Sequence, residues 1–155
     1  MTGEKRTALA LWLFSLALLF TACSTPDATS PGDRSSGGQV SAATASEFGD
    51  VTLPGGAEVL GADSDSGIDT RYRLALRMNA AQLRELLSQF KEQPQASEIH
   101  RATPVIAGPP LSDAPNPLYA QDRITTKAGR TVYRDIIVDE RSPDEVYVHL
   151  AMFTT

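Results

Sequence analysis

The 155-residue chain contains one cysteine, Cys23, and no thiol follows it. Beyond residue 23 that excludes a disulfide scaffold and a cysteine metal site, so stability there must come from a packed core. Histidine is almost as rare: His100 and His149 are the only two, and no third ligand stands at a zinc-binding spacing from them. No metal site is expected. The one long apolar run, Ala8 to Phe20, has 13 residues. As a helix it would span roughly 20 Å, too short for a hydrocarbon core of about 30 Å, so a permanent membrane span is not expected. No run of basic residues occurs, and the part after residue 22 carries 12 basic and 18 acidic side chains, a net charge of −6. That balance argues against nucleic acid as a partner and against adhesion to anionic lipid through a polybasic patch. There is no G-x-S-x-G pattern and no glycine-rich phosphate loop, so no motif assigns a catalytic residue or a cofactor.

What is present at the start is a basic pair, Lys5–Arg6, then the apolar run, then the small residues Thr21 and Ala22 before Cys23. A charged head, an apolar stretch and small residues at a processing site make residues 1–22 a secretory leader. A cysteine closing that leader resembles the lipid-attachment box of bacterial lipoproteins. The resemblance implies that the leader is cut before Cys23, that the thiol is acylated and that the new amine is usually acylated too. Two or more acyl chains are what stable anchoring requires. It also implies a location: the cell membrane, lipid-anchored, on the extracytoplasmic face. The leader, the segment after it and the ending from Thr131 to Phe153 (TVYRDIIVDERSPDEVYVHLAMF) are similar to small actinobacterial lipoproteins, and the bias of 11 arginines against 3 lysines fits a GC-rich genome. That likeness implies no activity.

Residues 23–47 read as the lipid anchor and a disordered linker. Of the 24 residues from Ser24 to Glu47, 18 are Ser, Thr, Ala, Gly or Pro, and Val40 is the only large aliphatic. Such a segment buries too little apolar surface to offset its ordering entropy. Residues 48–155 then form a single α+β domain, expected as a small antiparallel sheet of about four to five strands with one main amphipathic helix on one face. Ala57 to Ala62 is a short strand candidate, followed by a turn at Asp63 to Gly67. From Ile68 to Met78 the chain alternates, with Tyr72, Leu74, Leu76 and Met78 on one face and Arg71, Arg73, Ala75 and Arg77 on the other. Period 2 marks a half-buried strand with a solvated face. Asn79 to Gln93 is the helix: Asn79 and Gln82 form a capping box, Met78 and Leu83 a hydrophobic staple, and Leu83, Leu86, Leu87 and Phe90 one apolar stripe. Five prolines between Ala102 and Pro117 exclude regular structure and predict a long surface loop. Asp122 to Lys127, Thr131 to Asp139 and Glu145 to Phe153 are three further strands, joined by short turns that require antiparallel pairing.

Few residues in this domain point to chemistry. Asp63, Asp65, Gly67 and Asp69 resemble the start of a calcium loop, but the glycine comes one place early and Leu74 stands where the closing glutamate belongs. They read as a solvated turn. His149 with Tyr147, and His100 with Glu98, read as packing or surface residues. The sharpest feature is Arg71, Arg73 and Arg77 on one strand face. These read either as cross-strand partners of Asp135 and Asp139, or as a contact surface for a protein or cell-wall partner, joined by the proline-rich loop. Two functions follow. One is a membrane-anchored, non-enzymatic binding or accessory module. The alternative is a small extracytoplasmic hydrolase working through His149 or through a pair drawn from the domain's 15 carboxylates.

Overall fold

The computed structural model describes residues 38–97, 99 and 105–155. The leader, Cys23, the first part of the linker, Glu98, His100 and residues 101–104 lie outside the described residues.

Among the described residues seven strands form one sheet: β1 (Gly38–Gln39), β2 (Glu58–Ser66), β3 (Thr70–Met78), β4 (Gln95–Ala96), β5 (Leu118–Thr125), β6 (Thr131–Ser142) and β7 (Glu145–Phe153). Their order is β1-β2-β3-β7-β6-β5-β4, and every pairing is antiparallel. Two helices, α1 (Ala42–Phe48) and α2 (Ala80–Leu87), complete a mixed α+β architecture. Among the described residues no helix is long and apolar enough to cross a membrane. The sheet is larger than the four to five strands expected. The two extra strands are the dipeptides β1 and β4 at its edges, too short to carry any periodicity.

α1 is a second correction. It lies within the segment read as linker, and its sequence (AATASEF) has the small-residue composition that pointed to disorder. Ser41 nonetheless caps it by accepting from the Thr44 amide at 3.0 Å, and Ala45 and Phe48 are buried. Phe48 supplies most of its apolar weight, packed against the Tyr72 ring (4.5 Å between centroids), and the Arg130 guanidinium lies over the Phe48 ring, 4.8 Å from its centroid. Gly49 ends α1 against β7, where a β-carbon would fall 2.2 Å from Met152 Sδ. Residues 38–47 thus belong to the folded domain, ahead of the expected start at Phe48.

α2 begins as its sequence predicts. Asn79 Oδ1 accepts from the Gln82 amide at 2.9 Å, and Gln82 Oε1 accepts from the Asn79 amide at 2.8 Å. It stops at Leu87, well before Gln93, because the next backbone groups are claimed elsewhere. The Gln89 carbonyl accepts from Arg134 and the Lys91 amide donates to Asp122. Gln89 also binds both backbone groups of Thr52 through its side-chain amide. Leu83, Leu86 and Phe90 are buried as the stripe requires, together with Leu74, Leu76 and Met78 of β3 and Val146, Val148, Leu150 and Met152 of β7. Each such side chain contributes roughly 1.5–3 kcal/mol relative to exposure.

β2 runs through Ser66, so Asp63 and Asp65 are strand residues rather than a turn. Arg73 on β3 holds them there, with Nε 2.6 Å from Asp63 Oδ1 and Nη2 3.5 Å from Asp65 Oδ2.

Inside the helix-covered face sits an ion pair. Arg134 and Asp122, opposite each other on β6 and β5, have side chains 2% and 1% exposed. Arg134 Nε lies 2.8 Å from Asp122 Oδ1, Nη2 lies 3.0 Å from the Gln89 carbonyl, and the guanidinium stacks 4.3 Å from the Phe90 ring centroid. The Asp122 carboxylate also accepts the Lys91 amide at 3.0 Å. One charged pair therefore ties the end of α2 to two strands.

Candidate functional site

Neither α1 nor α2 packs on the opposite face of the sheet, and the antiparallel register arranges its side chains in rows. One row crosses five strands: Asp65, Arg71, Phe153, Tyr133 and Arg123, each directly opposite the next. The Tyr133 and Phe153 rings stack with centroids 5.6 Å apart at 17°, and the Arg71 guanidinium lies 5.3 Å from the Phe153 centroid. Cation–π and offset ring contacts of this kind fix side-chain orientation at the surface. All three residues are half-buried, so one side of each remains open to solvent.

The three predicted arginines share this face, but they meet different partners from those expected. β3 lies between β2 and β7, so Arg73 pairs with Asp63 and Asp65, and Arg77 lies 3.5 Å from Glu58. Asp135 and Asp139 sit on β6, one strand further away. Asp135 accepts from Tyr119 Oη at 3.2 Å and from Gln121 Nε2 at 2.7 Å. Burial first, and then Asp135, push the Tyr119 phenol up to about 12. Asp139 Oδ2 accepts from Arg141 Nε at 2.9 Å.

The middle of the face is covered. The described part of the proline-rich loop crosses it as a strap from Val105 to Pro110, so the strand surface is not solvated throughout as its alternation implied. A β-carbon on Gly108 would lie 3.4 Å from Leu60 Cδ1, 3.5 Å from Tyr147 Cδ1 and 3.7 Å from His149 Cε1. Gly108 has φ +96°, a conformation that glycine adopts without strain, and the contacts a β-carbon would make there show how near the strap lies to Leu60, Tyr147 and His149. At the far end Arg141 Nη2 reaches the Pro110 carbonyl at 3.5 Å.

Under the strap are two buried polar side chains with unmet hydrogen-bonding capacity. His149 is 2% exposed and Asp139 is fully buried. Among the described residues neither imidazole nitrogen has a partner, and neither does Asp139 Oδ1. Desolvation lowers the His149 pKa, against a smaller opposing pull from Asp139. Such orphans are uncommon in folded proteins and ask for an explanation. His149 and Asp139 are not hydrogen-bonded to each other, so they are not held as a base and its orienting carboxylate. Tyr147, beside them, donates to Glu145 at 2.7 Å, which raises its phenol above the usual range.

Three surface clefts of about 250 to 330 Å³ are formed by described residues, and His149 lines none of them. One, at the β5 edge, continues the aromatic row through Tyr133, Arg123, Gln121 and Lys91. Ser88 and Lys91 have S-x-x-K spacing, a pattern easily passed over, but they do not meet. Ser88 Oγ donates to the Glu85 carbonyl and Lys91 Nζ to the Arg123 carbonyl. Among the described residues no group of three or more His, Cys, Asp or Glu side chains could hold a metal ion. Cys23 and the His100–Glu98 pair lie outside the described residues.

No protein-family model matches the chain, and no curated protein or solved structure matches it.

Proposed function

We propose that this chain is a binding or accessory module, held at the extracytoplasmic face of the cell membrane by lipid on Cys23, that meets a protein or cell-wall partner with its helix-free face. The observation that carries the reading is the row Arg71–Phe153–Tyr133–Arg123, in which the stacked rings and the Arg71 guanidinium are aligned by register and left half open, with Arg123 exposed at the row's end. Aromatic and arginine side chains are the residue types that anchor interfaces, the aromatic ones because little rotamer freedom is lost when they are covered and arginine because its planar guanidinium stacks and donates several hydrogen bonds. The leader and Cys23 support the tether.

The test is proximity crosslinking in intact cells, comparing the unaltered chain with an Arg71→Ala/Tyr133→Ala/Arg123→Ala variant and with Cys23→Ala. The row variant should lose captured partners while remaining folded and in the membrane fraction. Cys23→Ala should leave the membrane fraction or accumulate there as uncleaved precursor. An unchanged partner set in the row variant would refute the contact face. Lipid labelling that persists in Cys23→Ala would refute the tether.

A further inference from the structure

We propose that the strap Val105–Pro110 is a pH-sensitive cover, closed while His149 is neutral and released when acidification protonates it. This goes beyond the binding reading and does not depend on it. The geometry supplies each part. His149 lies at the centre of the helix-free face with both ring nitrogens unpartnered among the described residues, and Gly108 lies over its Cε1 edge, where a β-carbon would come within 3.7 Å of it. With the strap down the ring is 2% exposed.

A neutral imidazole tolerates that burial at moderate cost, but an imidazolium is far less easily kept from water without hydrogen-bond acceptors. The direct cross-strand neighbours of His149 are the apolar Ala75 and Ile137, so the charged and titratable groups elsewhere on this face of the sheet decide which way it relaxes. On β6 these are Asp135, Asp139 and Arg141, on β3 Arg73 and Arg77, and on β7 Tyr147 with Glu145 beyond it. On β2 they are Glu58, Asp63 and Asp65, and on β5 Tyr119. Residues 105–112 contain no charged side chain, and Asp113 follows them. Most of these groups are already engaged. Arg73 is neutralised by Asp63 and Asp65, Arg77 by Glu58, and Asp135 accepts from Tyr119 and Gln121. Asp139 gives one oxygen to Arg141 and keeps the other unpartnered on the strand beside His149. Its attraction works toward a proton on His149, but desolvation is the larger effect. Lifting the strap is the movement that hydrates both groups at once. The latch at its end, Arg141 Nη2 on the Pro110 carbonyl, is long at 3.5 Å and made by the same arginine that holds Asp139.

The sign follows from linkage. With the strap open the ring is hydrated and titrates near its ordinary 6.5, whereas with the strap closed its pKa is lower. The open form therefore binds more protons. Closure is fully favoured above about pH 6.5 and weakens as pH falls, with the open-to-closed ratio rising by up to tenfold per pH unit until the closed form itself titrates.

Amide hydrogen exchange of the full chain tests this, read at the amides of residues 105–108 and 111–113 between pH 7 and pH 5 and corrected for intrinsic exchange rates. Protection of these amides should fall by up to tenfold per pH unit below about pH 6.5, while the β6 and β7 amides stay protected. His149→Phe, which cannot titrate, should keep the strap protected at both pH values. Equal pH dependence in the two proteins, or none in the unaltered chain, would overturn the proposal. If His149→Phe does not fold, the imidazole of the unaltered chain is followed by NMR. A midpoint below 6.5 that coincides with changes at the Gly108 amide supports the proposal, and titration at or above 6.5 with Gly108 unmoved refutes it.

Discussion

Arg134 and Asp122 offer the most demanding test of how this domain is held together. Replacing Arg134 with Met keeps much of its length and its packing on Phe90, but leaves the Asp122 carboxylate almost fully buried. Its remaining support would be the Lys91 amide at 3.0 Å. The Gln89 carbonyl would also lose its 3.0 Å donor. Removing one partner of a buried ion pair costs about 3–5 kcal/mol, most of it the uncompensated charge. For a domain of this size that lowers the thermal midpoint by roughly 10–20 °C. Adding Asp122→Leu should recover part of the loss, since an apolar pair removes the stranded charge, although the Lys91 amide and the Gln89 carbonyl remain unpaired at about 1–3 kcal/mol. Urea unfolding of the two single variants and the double variant, followed by circular dichroism, closes the cycle. The two changes should couple by at least about 2 kcal/mol. A loss below about 1 kcal/mol for Arg134→Met, or simple additivity, would show that the pair is not the tie it looks like.

Three further outcomes are expected. Leu86→Ala, at a fully buried position on α2, should cost about 2–5 kcal/mol by urea unfolding, whereas Arg84→Ala on the exposed side should stay within about 0.5 kcal/mol; equal effects would refute the amphipathic assignment. A chain beginning at Phe48 should unfold at a lower urea concentration than one beginning at Gly38, because it lacks β1 and most of α1, and coincident transitions would return residues 38–47 to the linker. In a spectrophotometric titration the Tyr119 phenol should ionise near pH 12, and Tyr119→Phe should remove that step. Because folding raises this pKa above its ordinary 10.0, the associated stability is complete below about pH 10 and is lost as pH climbs toward 12.

Much of the sheet was legible because its core strands alternate cleanly. β3 and β7 place Leu74, Leu76, Val148 and Leu150 on one face by spacing alone, and the cap of α2 is written in Asn79 and Gln82. α1 was not legible, since Ala, Ser and Thr serve a short packed helix as well as they serve a linker. Only the buried side of Ala45 and Phe48 distinguishes the two. The arginine partners were missed for a topological reason. Asp135 and Asp139 are near Arg73 only if β6 adjoins β3, and β7 lies between them. Arg134 did carry a signal. Val132, Arg134, Ile136 and Val138 are spaced by two, so the charge falls on the apolar face and needs a buried counter-ion. The cover over His149 could not be read, because a proline-rich segment says where regular structure stops and not where the chain lies down.

The place of β7 has a consequence for synthesis. This last strand is the central one, and β3 and β6 meet only through it. A chain made from its N-terminus therefore emerges as two separate hairpins with no common neighbour, and it cannot close its core until Phe153 has been added. Loss of this nine-residue strand would divide the sheet in two rather than trim an edge.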